Sequence, residues 1–190
     1  MVVESDTPQG VVLWADERAR ALRVLPGMRY AAGLSLAPGL RAGVVREEEV
    51  REAVAALAEG FRRFTPGVEP SADEPGVFWL DARGLERLFP SLDDWAHGLH
   101  EEAARAGFAA SVVVGFKRFG PYALARAHRG VHVLTSFAEE REAARAVPLD
   151  RLALPAAARD TLARLGIATV GAFSDLPEGG IAARFGPEVR

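Results

Sequence analysis

The sequence predicts a mixed α/β (α+β) protein, and three observations carry that expectation. From residue 47 to 146, segments with helical spacing alternate with short β-branched runs, the order of a small sheet covered by helices. Before that region, short pieces are punctuated by Pro-Gly breaks. After Pro148 every segment reads as helix.

Composition narrows the class. The chain has 190 residues, 49% hydrophobic and 26% charged, enough for one core or two small ones. Its net charge of -3 lacks the overall basicity of a nucleic-acid binder, so any DNA contact must come from a local patch. With no cysteine, disulfides, thiolate metal sites and thiol nucleophiles are excluded. The N-terminus MVVESDTPQG has no basic segment followed by an apolar one, so it does not read as a secretory signal. No apolar run approaches the roughly 20 residues of a membrane helix. A cytoplasmic protein with no membrane contact is expected.

The elements follow in order. Val11–Trp14, after the turn signal Pro8-Gln9-Gly10, reads as a strand. Residues 16–23 look helical and stop before Pro26-Gly27, and Met28–Leu36 reads as a second helix ended by Pro38-Gly39. Ala42–Val45 reads as a strand. The clearest helix is Glu47–Phe64, where Val50, Val54, Leu57, Phe61 and Phe64 share one face. Glu47, Glu48 and Glu49 complement the dipole of its first turn. Val77–Leu80 is an apolar strand. Ser91 caps a helix to about Ala106 with Leu92, Trp95, Leu99 and Ala103 on one side. Phe108–Phe116 contains Val112-Val113-Val114 and reads as a strand. A helix Phe119–His128, a strand Val131–Leu134 and a helix capped by Ser136 come next. Pro155 opens a helix over 155–165. Gly166-Ile167 turns the chain, Thr169 caps a short helix to Leu176, and a further piece follows Pro177. The expected organisation is a lobe at 1–45, a larger α/β domain at 46–147 and a helical domain at 148–190.

Four groups of residues could carry chemistry. Residues 162–176, LARLGIATVGAFSDL, have the form of a helix-hairpin-helix, with Leu162, Leu165, Val170, Phe173 and Leu176 as its packing residues. Backbone N–H groups around Gly166, Ile167 and Thr169 would suit a DNA phosphate without reading bases; a plain α-hairpin is the other reading. Lys117 and Arg118, with Arg126 and Arg129, form either a phosphate-tracking patch or a solvated loop. His97 and His100 beside Glu101 lack a matched third metal ligand and read as surface histidines. The acidic pair Asp73-Glu74 is followed at once by Pro75-Gly76, which makes a turn. Two-metal chemistry needs carboxylates on rigid elements, so the pair reads as a solvated turn.

Four stretches in order resemble the Y-family translesion DNA polymerases and, within them, the ImuB-type branch of bacterial mutasome proteins. They are ARALRVLPGMRYAAGLSLAPGL (19–40), RRFTPGVEP (62–70), VFWLDARGLERLF (77–89) and LPAAARDTLARLGIATVGAFSDLP (154–177). The resemblance implies a fingers-like lobe at 1–45, a ferredoxin-like palm at 46–147 lacking its first strand, and a thumb-like helix-hairpin-helix domain at 148–190. Active members carry Ser-Ile-Asp-Glu-Ala before Phe-Leu-Asp. Counted back along the strand, those Asp and Glu positions fall on Gly76 and Val77. Counted forward, Asp73 and Glu74 match in letters only.

The departures run together. The strand bearing the family's first metal-binding Asp precedes Val2-Val3 and is expected to be missing. Arg20 stands at a triphosphate-contacting Arg, but Glu17 replaces the paired Tyr. Pro121 and Tyr122 stand where the family has Asn-Lys. The little finger and C-terminal tail are also expected to lie outside this chain. The resemblance therefore implies a non-catalytic adaptor of SOS-induced translesion synthesis and mutagenesis. It implies no cofactor and weak DNA contact that is not sequence-specific. The implied partners are an error-prone replicative-type polymerase, a RecA-like accessory protein and the sliding clamp. The alternative is a catalytically active polymerase, truncated here, using Mg²⁺ through Asp73 and Glu74.

Overall fold

The computed structural model describes residues 1–85 and 87–177. The chain begins β1 (Val2–Val3), β2 (Val12–Trp14), α1 (Glu17–Ala21), α2 (Tyr30–Leu36), α3 (Glu47–Phe61), β3 (Val68–Pro70) and β4 (Phe78–Leu80). It continues α4 (Leu92–Arg105), β5 (Ser111–Val114), α5 (Phe119–Ala127), β6 (Gly130–Val133) and α6 (Phe137–Ala146). A 3-10 turn at Leu149–Arg151 leads to α7 (Ala156–Arg164) and α8 (Val170–Ser174). Contacts divide these elements into two units. One joins Met1–Val50 with Leu154–Leu165; the other joins Arg51–Ala153 with the described residues from Gly166 to Pro177.

In the first unit β1 pairs antiparallel with β2, and Val3, Val12, Ala15, Ala19, Val24 and Ala37 are buried together. Asp16 caps α1 by accepting from the Ala19 N–H at 2.8 Å. The segment expected to start a helix at Met28 first runs beside β2. Val12 N–H donates to Met28 O, Arg29 bridges Val11, and Tyr30 N–H donates to Gly10 O. Those bonds need extended backbone, so α2 starts only at Tyr30. The strand expected at Ala42–Val45 is absent: Gly43 alone bridges Val2, and Val44 and Val45 stay exposed. An apolar run becomes a strand only where a neighbouring edge accepts its backbone, and β1 is two residues long. Helix α7 belongs to this unit. Its Arg159 is buried and donates through Nη1 to Pro26 O at 2.7 Å. Gly27, at φ +86, lets Ala156 approach: a Cβ there would lie 3.0 Å from the Ala156 methyl.

The second unit is built on α3 and α4. Ser91 caps α4 as expected, accepting from Asp94 N–H at 3.0 Å. Leu57 and Phe61 of α3 and Trp95, Ala96, Leu99 and Ala103 of α4 form the core, with Phe78 and Leu80 of β4 and Val112 and Val114 of β5 against it. Trp95 Nε1 donates to Phe64 O at 3.0 Å, satisfying the one polar atom of a buried indole. Phe64 itself lies past α3, which ends at Phe61 in a tightened turn. Glu102 is buried on α4 and paired with both Arg63 and Arg105.

A single palm sheet short of one strand was expected. The strands instead form two ribbons: β3–β4 is antiparallel, with Val68 opposite Leu80, and β5–β6 is parallel, with Val112 opposite Val131. Among the described residues no ladder joins the two. Helix α5 connects β5 to β6, the crossover that a parallel pair requires.

Candidate functional site

The acidic pair lies in the turn between β3 and β4. Ser71 N–H donates to Val77 O at 2.8 Å, and Val77 N–H donates to Glu74 O at 3.0 Å. Ser71 Oγ accepts from Glu74 N–H at 3.2 Å. Gly76 turns the chain at φ +92, a conformation that favours glycine. Strand β4 begins at Phe78, one residue later than expected, so Gly76 and Val77 both belong to the turn.

The two carboxylates have different surroundings. Asp73 is exposed. Glu74 is half-buried and accepts from Tyr122 Oη at 2.5 Å, with Arg126 Nη2 3.8 Å from its other oxygen. Tyr122 and Arg126 lie on α5, four residues apart, and Arg118 precedes Tyr122 by four. That spacing places all three on one side of a helix. Arg118 pairs with Glu69 of β3, and its guanidinium lies over the Trp79 ring at 4.8 Å. The Trp79 and Tyr122 rings sit 6.1 Å apart. The basic side of α5 is therefore engaged with the β3–β4 ribbon. In the sequence Lys117, Arg118, Arg126 and Arg129 read as either a phosphate-tracking patch or a solvated loop, and nothing there shows Glu69, Trp79 and Glu74 as partners of Arg118 and Arg126. The spacing of Arg118, Tyr122 and Arg126 was the available signal.

Burial, and then the carboxylate of Glu74, push the Tyr122 hydroxyl from its ordinary 10.0 up to about 12. The raised folded-state value means that the protonated phenol favours folding below pH 10. That contribution is lost as pH rises through the interval up to about 12. Tyrosinate absorbance of the protein minus that of Tyr122→Phe is expected to titrate in that upper range. A midpoint at the ordinary value would detach Tyr122 from Glu74.

The other expected contact residues lie in three places. Lys117 is exposed, its Nζ 5.9 Å from the centre of the Phe137 ring. Gly166 turns at φ +73, and Thr169 caps α8 by accepting from Ala172 N–H at 3.2 Å. Val170 N–H already donates to Val147 O, so two donors at the start of α8 are used internally. Leu165, expected to pack, is half-exposed. Arg20 Nε donates to Ala15 O at 3.2 Å. His97 is exposed and sits against Asp93. Among the described residues no group of three or more His, Cys, Asp or Glu side chains could hold a metal ion. No helix among them is long and apolar enough to cross a membrane.

No protein-family model matches the chain. It is 31% identical over 163 residues to Protein ImuB of Caulobacter vibrioides strain NA1000 / CB15N, and equally to that of strain ATCC 19089 / CIP 103742 / CB 15. The match covers 86% of this chain and 35% of the relative, so the chain spans about a third of the curated relatives' length. Among solved structures, DinB from Sulfolobus solfataricus matches with a TM-score of 0.71 at 17% identity, covering 98% of this chain and 55% of that one. The insertion ternary complex of Dbh DNA polymerase matches with a TM-score of 0.65 at 17% identity, covering 96% and 54%. At these identities the solved structures establish the fold.

Proposed function

We propose that this chain, an ImuB-type homologue of the Y-family DNA polymerases, is part of a non-catalytic adaptor for DNA-damage-induced mutagenesis. The observation that carries this reading is the turn bearing Asp73 and Glu74. Two-metal phosphoryl transfer needs carboxylates converging on the same ions from rigid elements. Here one carboxylate of the pair faces water and the other is engaged by Tyr122 and Arg126. The would-be metal ligand and the would-be phosphate contacts neutralise each other.

Under this reading the polymerase fold serves as a scaffold. DNA contact is weak and runs through the phosphate backbone, from Lys117 and the hairpin around Gly166, Ile167 and Thr169. The partners are an error-prone replicative-type polymerase, a RecA-like accessory protein and the sliding clamp, in part through regions of the full-length protein outside this chain.

The test is a calorimetric titration of Mg²⁺ and Mn²⁺ into the full-length protein, with and without primer–template and nucleotide. No saturable binding that depends on Asp73 and Glu74 is expected, and no template-dependent incorporation. Metal binding lost in the Asp73→Asn/Glu74→Gln double variant, together with incorporation, would replace the adaptor reading with an active polymerase that uses Mg²⁺.

A further inference from the structure

The loop joining β5 to α5 contains a second arrangement, remote in sequence from the acidic pair. Glu140, on α6, is 2% exposed. Its carboxylate accepts from the backbone N–H of Phe116 and of Lys117, the latter at 3.2 Å to Oε1 and 3.3 Å to Oε2. Glycine stands on either side of these donors. A Cβ on Gly115 would lie 2.6 Å from Glu140 Oε2, and one on Gly120 would lie 2.5 Å from Oε1. No side chain is tolerated at either position without displacing the carboxylate. The donors sit just before the N-terminus of a nine-residue helix, where partial positive charge collects.

These are the features by which proteins hold phosphate: consecutive backbone N–H groups, glycines that admit the oxygens, and a following helix. Burying a carboxylate is unfavourable unless its oxygens are hydrogen-bonded, and its neighbour on α6, the buried Ala144, shows that a small apolar residue is accommodated on that side. Filling space alone does not call for an acid at 140. The geometry points to a built oxyanion site whose ligand the chain supplies itself. Glu140 occupies the Phe116 and Lys117 N–H groups and, by its charge and its bonds, bars a nucleotide or DNA phosphate from them. A phosphate reaching this surface then meets the side chain of Lys117 and no backbone donor of the cradle. The loop bears Phe116 and Phe119, both about half-exposed at 54% and 51%, so anchoring it from within also fixes two aromatic rings at the surface.

The inference makes no use of Asp73 or Glu74 and is tested separately from the adaptor reading. Inorganic phosphate, pyrophosphate and formate are titrated into the protein and into Glu140→Ala, following the backbone amide resonances of Phe116 and Lys117. In the unaltered protein these two resonances are expected to stay in place. In Glu140→Ala they are expected to move saturably with each anion. The variant's lowered melting temperature should be partly restored by formate and not by chloride at equal ionic strength. Phosphate shifting the two amides of the unaltered protein would overturn the proposal, as would a folded Glu140→Ala that no anion shifts or stabilises. Should Glu140→Ala not fold, Glu140→Gln keeps the side-chain shape and removes the charge. It is expected to lose the stronger ionic hydrogen bonds and to admit phosphate at the Lys117 amide, and failure to do so would equally overturn the proposal.

Discussion

Trp95→Ala is expected to be the most damaging single change in the second unit, lowering its unfolding free energy by about 3–5 kcal/mol. Trp95 is 3% exposed and packs with Leu57, Phe61 and Leu99 where α3 and α4 meet the strands. Its removal opens a cavity the size of an indole between elements whose other side chains are already packed. It also leaves Phe64 O without the Nε1–H that it accepts at 3.0 Å, and a polar group stranded in this way costs a further ~1–3 kcal/mol where water cannot reach it. Urea unfolding followed by circular dichroism measures the loss. Trp95→Phe should recover most of the packing and none of the hydrogen bond, separating the two contributions. A cost below ~1 kcal/mol for the alanine variant would mean that the α3–α4 core collapses onto the vacancy.

The second large effect is a failure of additivity around Glu102. This buried carboxylate is held between Arg63 and Arg105, whose side chains remain about 60% exposed. Removing either arginine leaves the other in place, so each single alanine variant is expected to cost no more than about 1 kcal/mol. Removing both strands a buried charge, and the double variant is expected to lose on the order of 3–5 kcal/mol. The excess over the sum of the singles is the coupling that a double-mutant cycle isolates. Acidification supplies the check on cause. An unpaired buried carboxylate binds its proton more readily in the folded than in the unfolded state. The double variant should therefore regain stability as pH falls from neutral, unlike the parent protein. Additive singles with no such recovery would show that Glu102 reaches water by itself.

Much of the frame was legible because it is written locally. The faces of α3 and α4 follow from spacing, and Ser91, Ser136 and Thr169 each cap the helix that was expected of them. The turn at Pro75-Gly76 was legible for the same reason. What could not be read depends on partners distant in sequence. Val44 and Val45 look like a strand, and only the short reach of β1 prevents it. Tyr122 could be seen to depart from a motif, whereas its bond to Glu74 spans 48 positions. Glu140 looked like one more acid on a charged helix, because nothing in its neighbourhood announces that Phe116 and Lys117, on another segment, donate to it. The divided strands were unreadable for the same reason, since pairing between ribbons is a long-range property that alternation of residues does not encode.

The closure of the first unit by α7 bears on the order in which the polypeptide can fold during synthesis. Arg159 binds Pro26 O across 133 positions, and residues 51–153 between them belong to the other unit. On a ribosome residues 1–50 emerge before residues 51–153, yet the unit they belong to lacks a helix until the chain has grown past residue 164. The intervening segment carries its own core and can consolidate meanwhile. N-terminal segments ordinarily fold first as they are made. Here residues 1–50 wait for α7, and a ribosome stalled anywhere before it would hold out a first unit that is incomplete.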